Sequence, residues 1–190
     1  MFYRLSQLFF RRYSPYWMIF LLLISGGFFW LFNFSQLSVP ISNLQLVKIS
    51  GGNGLLDLKL FYGAQDAYDA LTHYGEEGRA LYKRFLKADF LFTFCYGFGF
   101  AMLLTCLLKS LNWSKSNWIL LNLLPLAVAL ADCFENLSIF TMLAYYPEKM
   151  PITGLLAGIF TSTKHLLTLL SLTSLLVLSV RFLITKTRSE

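Results

Sequence analysis

The sequence predicts an all-α integral membrane protein, a bundle of four membrane-spanning helices with a small region on its outer face. Three observations carry that expectation. Of 190 residues, 56% are hydrophobic and only 14% are charged, whereas charged residues make up about a quarter of a soluble domain. The apolar residues fall in runs of roughly 20, the length a helix needs to cross a hydrocarbon layer of about 30 Å. Aromatic residues with a polar edge, Trp17, Trp30, Trp118, Tyr145 and Tyr146, sit near the ends of those runs, where they suit the membrane interface.

The first span is expected over residues 17–34. A basic stretch followed by an apolar run also begins a secretory signal, but the Ser-Gln-Leu-Ser-Val-Pro that follows Phe34 offers no small-x-small cleavage pattern, so the segment reads as a permanent span. Residues 36–87 form the outer loop. Within it, apolar stretches at 44–49 and 55–61 flank Ser-Gly-Gly-Asn-Gly and read as a hairpin of two short strands. Ala67, Tyr68, Leu71 and Tyr74 then share one face of a helix over 64–74, which Gly75 is placed to end. A further helix starts near Glu76 and runs directly into the second span, residues 90–108, with Leu81, Tyr82 and Phe85 turned one way and Lys83, Arg84 and Lys87 toward headgroups. The third and fourth spans, 118–145 and 152–181, exceed the minimum length and must tilt or project.

Charge sets the orientation. Arg4, Arg11, Arg12, Lys109, Lys115, Arg181, Lys186 and Arg188 lie on one side against only Glu190, while the basic residues of the other side are offset by acids such as Asp57, Asp66, Glu76 and Glu148. Both termini are therefore expected in the cytoplasm. The net charge of +6 is a topology signal, and no nucleic-acid partner is expected. Cys95, Cys106 and Cys133 lie inside spans without a Cys-x-x-Cys spacing and read as small buried hydrophobes. With His73 and His165 the only histidines, on different segments, no metal site is expected. No phosphate loop, dinucleotide fingerprint or nucleophile motif occurs, and no cofactor is expected. The Asn-x-Ser sequons at Asn33, Asn112 and Asn136 fall at or within the membrane or on its cytoplasmic side, where glycosylation does not reach.

The informative residues are polar ones set inside these apolar runs. Asp132, Glu135 and Asn136 are spaced i, i+3, i+4 and share a face of the third span. Thr161, Lys164, His165 and Thr168 do the same on the fourth, with Ser171 extending the row, and Asp89, Thr93 and Tyr96 share a face of the second. Asp132 lies 13 residues before Tyr145 and Lys164 13 after Pro151, so in antiparallel neighbours both sit about 20 Å from the outer ends and are expected to meet. Tyr96 can reach this layer, and Asp89 is expected above it. A charge at the bilayer centre costs roughly 2.5–3.5 kcal/mol on insertion scales, which favours pairing. Two acids against one lysine balance only if a proton is retained or His165 is charged, which makes the layer a candidate proton donor or acceptor. Asp132, Glu135 and Lys164 are the candidate catalytic groups. Asp89, Tyr96, Asn136, Thr161, His165 and Thr168 are candidate ligand contacts, with Arg79 at the outer mouth. The alternative is structural: buried acid–lysine pairs also fix helix register, and Glu76, Glu77 and Arg79 also read as the first turn of a helix.

Asp57, Tyr68, Leu71, the run Gly75-Glu76-Glu77-Gly78-Arg79, Tyr82, Asp89, Tyr96, the run Ala131-Asp132-Cys133-Phe134-Glu135-Asn136 and Thr163-Lys164 together resemble a group of small four-span bacterial membrane proteins. The resemblance covers most of residues 57–170 and implies a shared fold in a bacterial inner membrane; it carries over no mechanism. The polar layer beside Phe90, Phe92, Phe98, Phe100, Phe134 and Phe140 suits an apolar ligand with one polar end, a lipid, isoprenoid or quinone-like molecule that is bound or modified. Two other readings stand beside it. One is an accessory subunit of a larger membrane complex, with partner membrane subunits; the other is a proton or ion carrier, for which Ser171, Thr173, Ser174, Asn122 and Thr105 supply few polar residues below the layer.

Overall fold

A computed structural model of the chain describes residues 1–34, 42–113 and 116–187. Gln36, the expected start of the outer loop, and Lys115, Arg188 and Glu190, which enter the orientation count, lie outside the described residues. All regular structure among the described residues is helical: α1 (Phe2–Arg12), α2 (Pro15–Phe34), α3 (Asn43–Ile49), α4 (Ala64–His73), α5 (Gly75–Ser110), α6 (Leu124–Tyr145) and α7 (Pro151–Thr187). A 3-10 segment, Asn117–Leu123, leads into α6, and the two together form one span. With α2, α5 and α7 this gives, among the described residues, four helices long and apolar enough to cross a membrane, and the chain is an all-α membrane bundle. Pro15 and Pro151 open α2 and α7, and Pro125 lies in the first turn of α6, where a missing N–H costs no helical hydrogen bond.

The expected hairpin is corrected. Residues 43–49 form α3, whose N-terminus is capped by Ser42 Oγ accepting from the Gln45 N–H, and 56–58 form a single 3-10 turn. Leu44, Leu46, Val47 and Ile49 fit a helical face as well as an alternating strand, an ambiguity inherent in short apolar runs. Packing selects the helix, because Leu46 is fully buried in a core shared with Leu56, Tyr74 and Tyr82. The break between α4 and α5 is as expected, with Gly75 in the left-handed region at φ +61 where other residues are strained. Leu81, Tyr82 and Phe85 are buried and Arg84 and Lys87 exposed, while Lys83 is half-buried.

Neighbouring spans pack in chain order: α2 on α5, α5 on α6, and α6 on α7. Glycine permits the closest approaches. Gly97 faces Ala129 of α6, and Gly99, on another side of the same helix, faces Leu22 of α2. The outer core gathers Leu46, Leu56, Tyr68, Tyr82, Phe85, Ile139 and Met142; the inner core gathers Phe10, Leu104, Leu108, Ile119 and Leu178. The first of these inner residues belongs to α1, a helix that the sequence reading did not anticipate. It keeps Arg4, Arg11 and Arg12 exposed while Ser6, Phe9 and Phe10 are buried. Ser6 Oγ donates to the Ile119 carbonyl at 2.9 Å, and Asn122 Nδ2 donates to Thr105 Oγ1 at 3.0 Å. Thr105 and Asn122, considered above as parts of an ion pathway, thus form a knot that ties the inner end together.

Lys109 stacks over Tyr13 and Arg181 over Trp113, forming a basic ring at the end of the bundle that carries α1. Lys164 precedes Arg181 by 17 residues and Thr93 precedes Lys109 by 16, which places the polar layer about 25 Å above that basic ring. Beyond the layer, at the end away from that ring, α5 and α7 continue and pack with α3 and α4.

Candidate functional site in the outer third of the bundle

At the centre of the layer one ammonium joins two carboxylates. Lys164 Nζ on α7 lies 3.0 Å from Asp132 Oδ1 and 2.6 Å from Glu135 Oε2, both on α6. The pairing follows from the depths of Asp132 and Lys164 along antiparallel neighbours. Asp132 Oδ2 accepts from Thr93 Oγ1 at 2.8 Å and Tyr96 OH at 2.9 Å, both on α5. Glu135 Oε1 accepts from Thr161 Oγ1 at 2.6 Å. Three helices are thereby cross-linked through two carboxylates. Such dense satisfaction is what a charged group needs where no water competes or assists.

One turn outward, Asn136 Nδ2 donates to Asp89 Oδ2 at 2.6 Å, so Asp89 sits above the layer as its position predicts. The Asn136 Oδ1 is buried and meets no donor among the described residues. Arg79 stands apart from the layer: its guanidinium donates to the Leu71 carbonyl at 3.0 Å and covers the Tyr146 ring at 4.1 Å. It fastens α5 to the end of α4 and to the α6–α7 turn.

The sequence reading missed one member of the site, Asp57. Residues 55–62 do not lie on the surface as a hairpin strand; they run as a strap down the outer part of α7. Ser162 Oγ donates to the Leu60 carbonyl at 3.0 Å, His165 Nε2 lies 3.0 Å from the Lys59 carbonyl, and Lys164 Nζ reaches the Asp57 carbonyl at 3.5 Å. A carbonyl can only accept, so the proton of the His165 ring is on Nε2. Gly158 makes the close approach possible, since any Cβ there would overlap the Tyr62 carbonyl. Leu58, Leu60 and Phe61 of the strap are exposed, and Leu58 borders the cavity described below. Irregular backbone at this depth is tolerated because α7 satisfies its carbonyls. The Asp57 carboxyl is carried into the bundle, where its Oδ1 accepts from Tyr82 OH at 3.1 Å and the same hydroxyl accepts from the Leu56 N–H at 3.0 Å. Burial holds this carboxyl above the usual carboxylate range, against the opposing pull of Lys164. The signals in the sequence were an acid inside the apolar stretch Leu55-Leu56-Asp57-Leu58 and its place among the residues of the resemblance noted above.

Beside the layer lies a cavity of about 660 Å³. Its flanks are α2, through Leu22, Gly26 and Phe29, and α7, through Thr168, Ser171 and Leu175; α5 and α6 form its floor. Asp57, Asp89, Tyr96, Asp132, Lys164 and His165 border it, while Leu104, Pro125, Val128, Leu172 and Leu175 wall it toward the inner side. The cavity therefore gathers its charged groups at one end and is mostly apolar along its length, with the Thr168 and Ser171 hydroxyls on the α7 side. Glu135 and Thr161, fully buried, do not border it; they hold Lys164 from behind. Of the expected aromatic wall, Phe92 and Phe100 line the cavity. Phe90 and Phe98 line a separate cleft of about 670 Å³ near α1, Phe134 stacks on Phe160, and Phe140 packs against the outer core.

Among the described residues no group of three His, Cys, Asp or Glu side chains is placed to hold a metal ion. The fold and site define a helical integral membrane protein with a carboxylate–ammonium layer that opens on an amphipathic cleft. The chain matches no known family model, no curated protein and no solved structure.

Proposed function

We propose that this protein binds, and acts on or delivers, a membrane amphiphile such as a lipid, an isoprenoid or a quinone-like molecule, held in the cleft between α2 and α7. One observation carries the reading: the charged groups that border the cavity gather at one end, around Asp132 and Lys164, and a mostly apolar wall continues inward along Leu104, Val128 and Leu175. Its volume is within the usual range for a small-molecule site. The polar end lies in the outer third of the hydrocarbon core, which is the depth of the upper chain and linkage region of an outer-leaflet lipid. Flanking helices that are mostly unburied leave a lateral route from the bilayer. Asp132 and Lys164 border the cavity and are the groups able to exchange a proton or a hydrogen bond with the occupant, while Glu135 and Thr161 fix Lys164 in place.

Both termini are assigned to the cytoplasm, supported by the exposed Arg4, Arg11 and Arg12 of α1 and by Lys109 and Arg181 at the same end. The resemblance noted above favours a bacterial inner membrane.

Gly26 supplies the test. A Cβ built on it meets nothing within 4 Å, and it borders the cavity, so Gly26→Phe fills the space without disturbing the fold. Lipids co-purifying with the wild-type protein and absent from a Gly26→Phe variant of equal thermal stability support the reading. Identical lipid content in the two proteins overturns it.

A further inference from the structure

The charges around the cavity specify the polar end of its occupant. Four carboxyl groups meet there or directly behind it: Asp57, Asp89, Asp132 and Glu135. Lys164 is the only lysine or arginine among the described residues that borders the cavity, and its ammonium is already shared by Asp132 and Glu135. Among the described residues no lysine or arginine is left at the cavity for an incoming anion. The His165 ring, which also borders the cavity, directs its Nε2–H to the Lys59 carbonyl.

Asp57 and Asp89 are the unbalanced members. They are 8% and 4% exposed, and each places one carboxyl oxygen on a protein donor, Tyr82 OH for Asp57 and Asn136 Nδ2 for Asp89. Neither forms an ion pair with a described cation. Their second oxygens meet no donor among the described residues, and both residues border the cavity. The Thr168 and Ser171 hydroxyls and the Asn43 amide also border the cavity, but its charged rim apart from Lys164 is carboxyl, and carboxyl oxygens facing an apolar chamber recognise a donor.

Resting on the cleft reading above, we infer that the occupant is an amphiphile whose polar end donates hydrogen bonds and carries no negative charge, a long-chain or polyprenyl alcohol or amine, and that the site rejects phosphorylated and carboxylated ends. Asp57 and Asp89 are the specificity-determining residues. A phosphate in this position would stand among carboxyl groups in a low dielectric with no free ammonium to meet it, where like-charge repulsion is least screened. An alcohol or ammonium end would instead supply the donors that the two free oxygens lack.

The full chain, in nanodiscs of phosphatidylcholine, would be exposed to four photoreactive amphiphiles of identical tail bearing a hydroxyl, a primary amine, a phosphate or a carboxylate. Cross-links would be mapped to the α5 and α7 segments that line the cavity. The hydroxyl and amine probes are expected to label these segments several-fold more strongly than the phosphate and carboxylate probes. Asp89→Asn, which can keep a hydrogen bond to Asn136, should shrink that ratio, and Asp57→Asn gives an independent reading of the same effect. If the phosphate probe labels as strongly as the amine, or if neither variant changes the ratio, the charge inference is overturned while the cleft reading stands. If no probe labels above the level of Gly26→Phe, the cleft reading itself falls.

Discussion

Lys164 on α7 and Glu135 on α6 form an ion pair at 2.6 Å in which the carboxylate is fully buried. The same ammonium holds Asp132 at 3.0 Å, so the two acids are joined through one cation. Each acid is also tied to a hydroxyl on another helix, Asp132 to Thr93 and Tyr96 of α5 and Glu135 to Thr161 of α7. Removing one partner strands the others, whereas removing the set leaves an apolar interface.

Glu135→Ala or Asp132→Ala alone is accordingly expected to destabilise the protein by about 3–5 kcal/mol, while replacing both acids and Lys164 together with apolar residues of similar size is expected to be close to neutral. Denaturant unfolding of the purified variants in detergent measures this. Losses that simply add across the three positions would show that the residues are not one network.

Gly158→Ala should displace the strap. The added methyl has nowhere to go, because the Tyr62 backbone carbonyl occupies its position. A cost of about 1–3 kcal/mol is expected from overpacking of this kind. It should be accompanied by faster proteolysis between Leu55 and Tyr62 in folded protein. A variant as stable and as resistant as the wild type would contradict the close contact.

Asp57 gives the bundle a pH dependence of definite sign. Burial raises its pKa in the folded state, so the folded protein binds the proton more tightly than the unfolded chain. Its contribution to stability is complete below the ordinary carboxylate pKa and is lost as pH rises through the higher folded value. Asp57→Asn removes this term. The stability difference between wild type and variant should therefore move against the wild type as pH increases through that window, followed by thermal unfolding at a series of pH values. A difference that is flat, or that favours the wild type as pH rises, would contradict the assignment.

Topology can be read by impermeant thiol labelling in a background without Cys95, Cys106 and Cys133. Ser50 is a poor reporter because it is buried and bonded to the Leu46 carbonyl; Gln65 and Ser110 are exposed. Gln65→Cys is expected to react in intact cells and Ser110→Cys only after permeabilisation. The reverse pattern would invert the assigned orientation.

The spans and the heart of the polar layer were legible from residue order alone. Apolar runs of membrane length admit only helices, because every backbone group must be satisfied within the segment. Helical periodicity then put Asp132 and Glu135 on one face and Thr161 and Lys164 on another, at depths that coincide in an antiparallel pair. What the sequence left open was everything fixed by contacts between distant segments. The stretch 44–49 fits strand and helix equally well, and burial of Leu46 against Tyr74 and Tyr82 decided for the helix. Asp57, 107 residues from Lys164, enters the site only because Gly158 lets the strap lie against α7. The separation of Glu135 from the cavity that Asp132 borders was likewise decided by packing, since neighbouring positions on one helical face can look into different spaces. Periodicity tells which side chains share a face, but which of them meets a partner and which meets a void depends on the segments that come to cover that face.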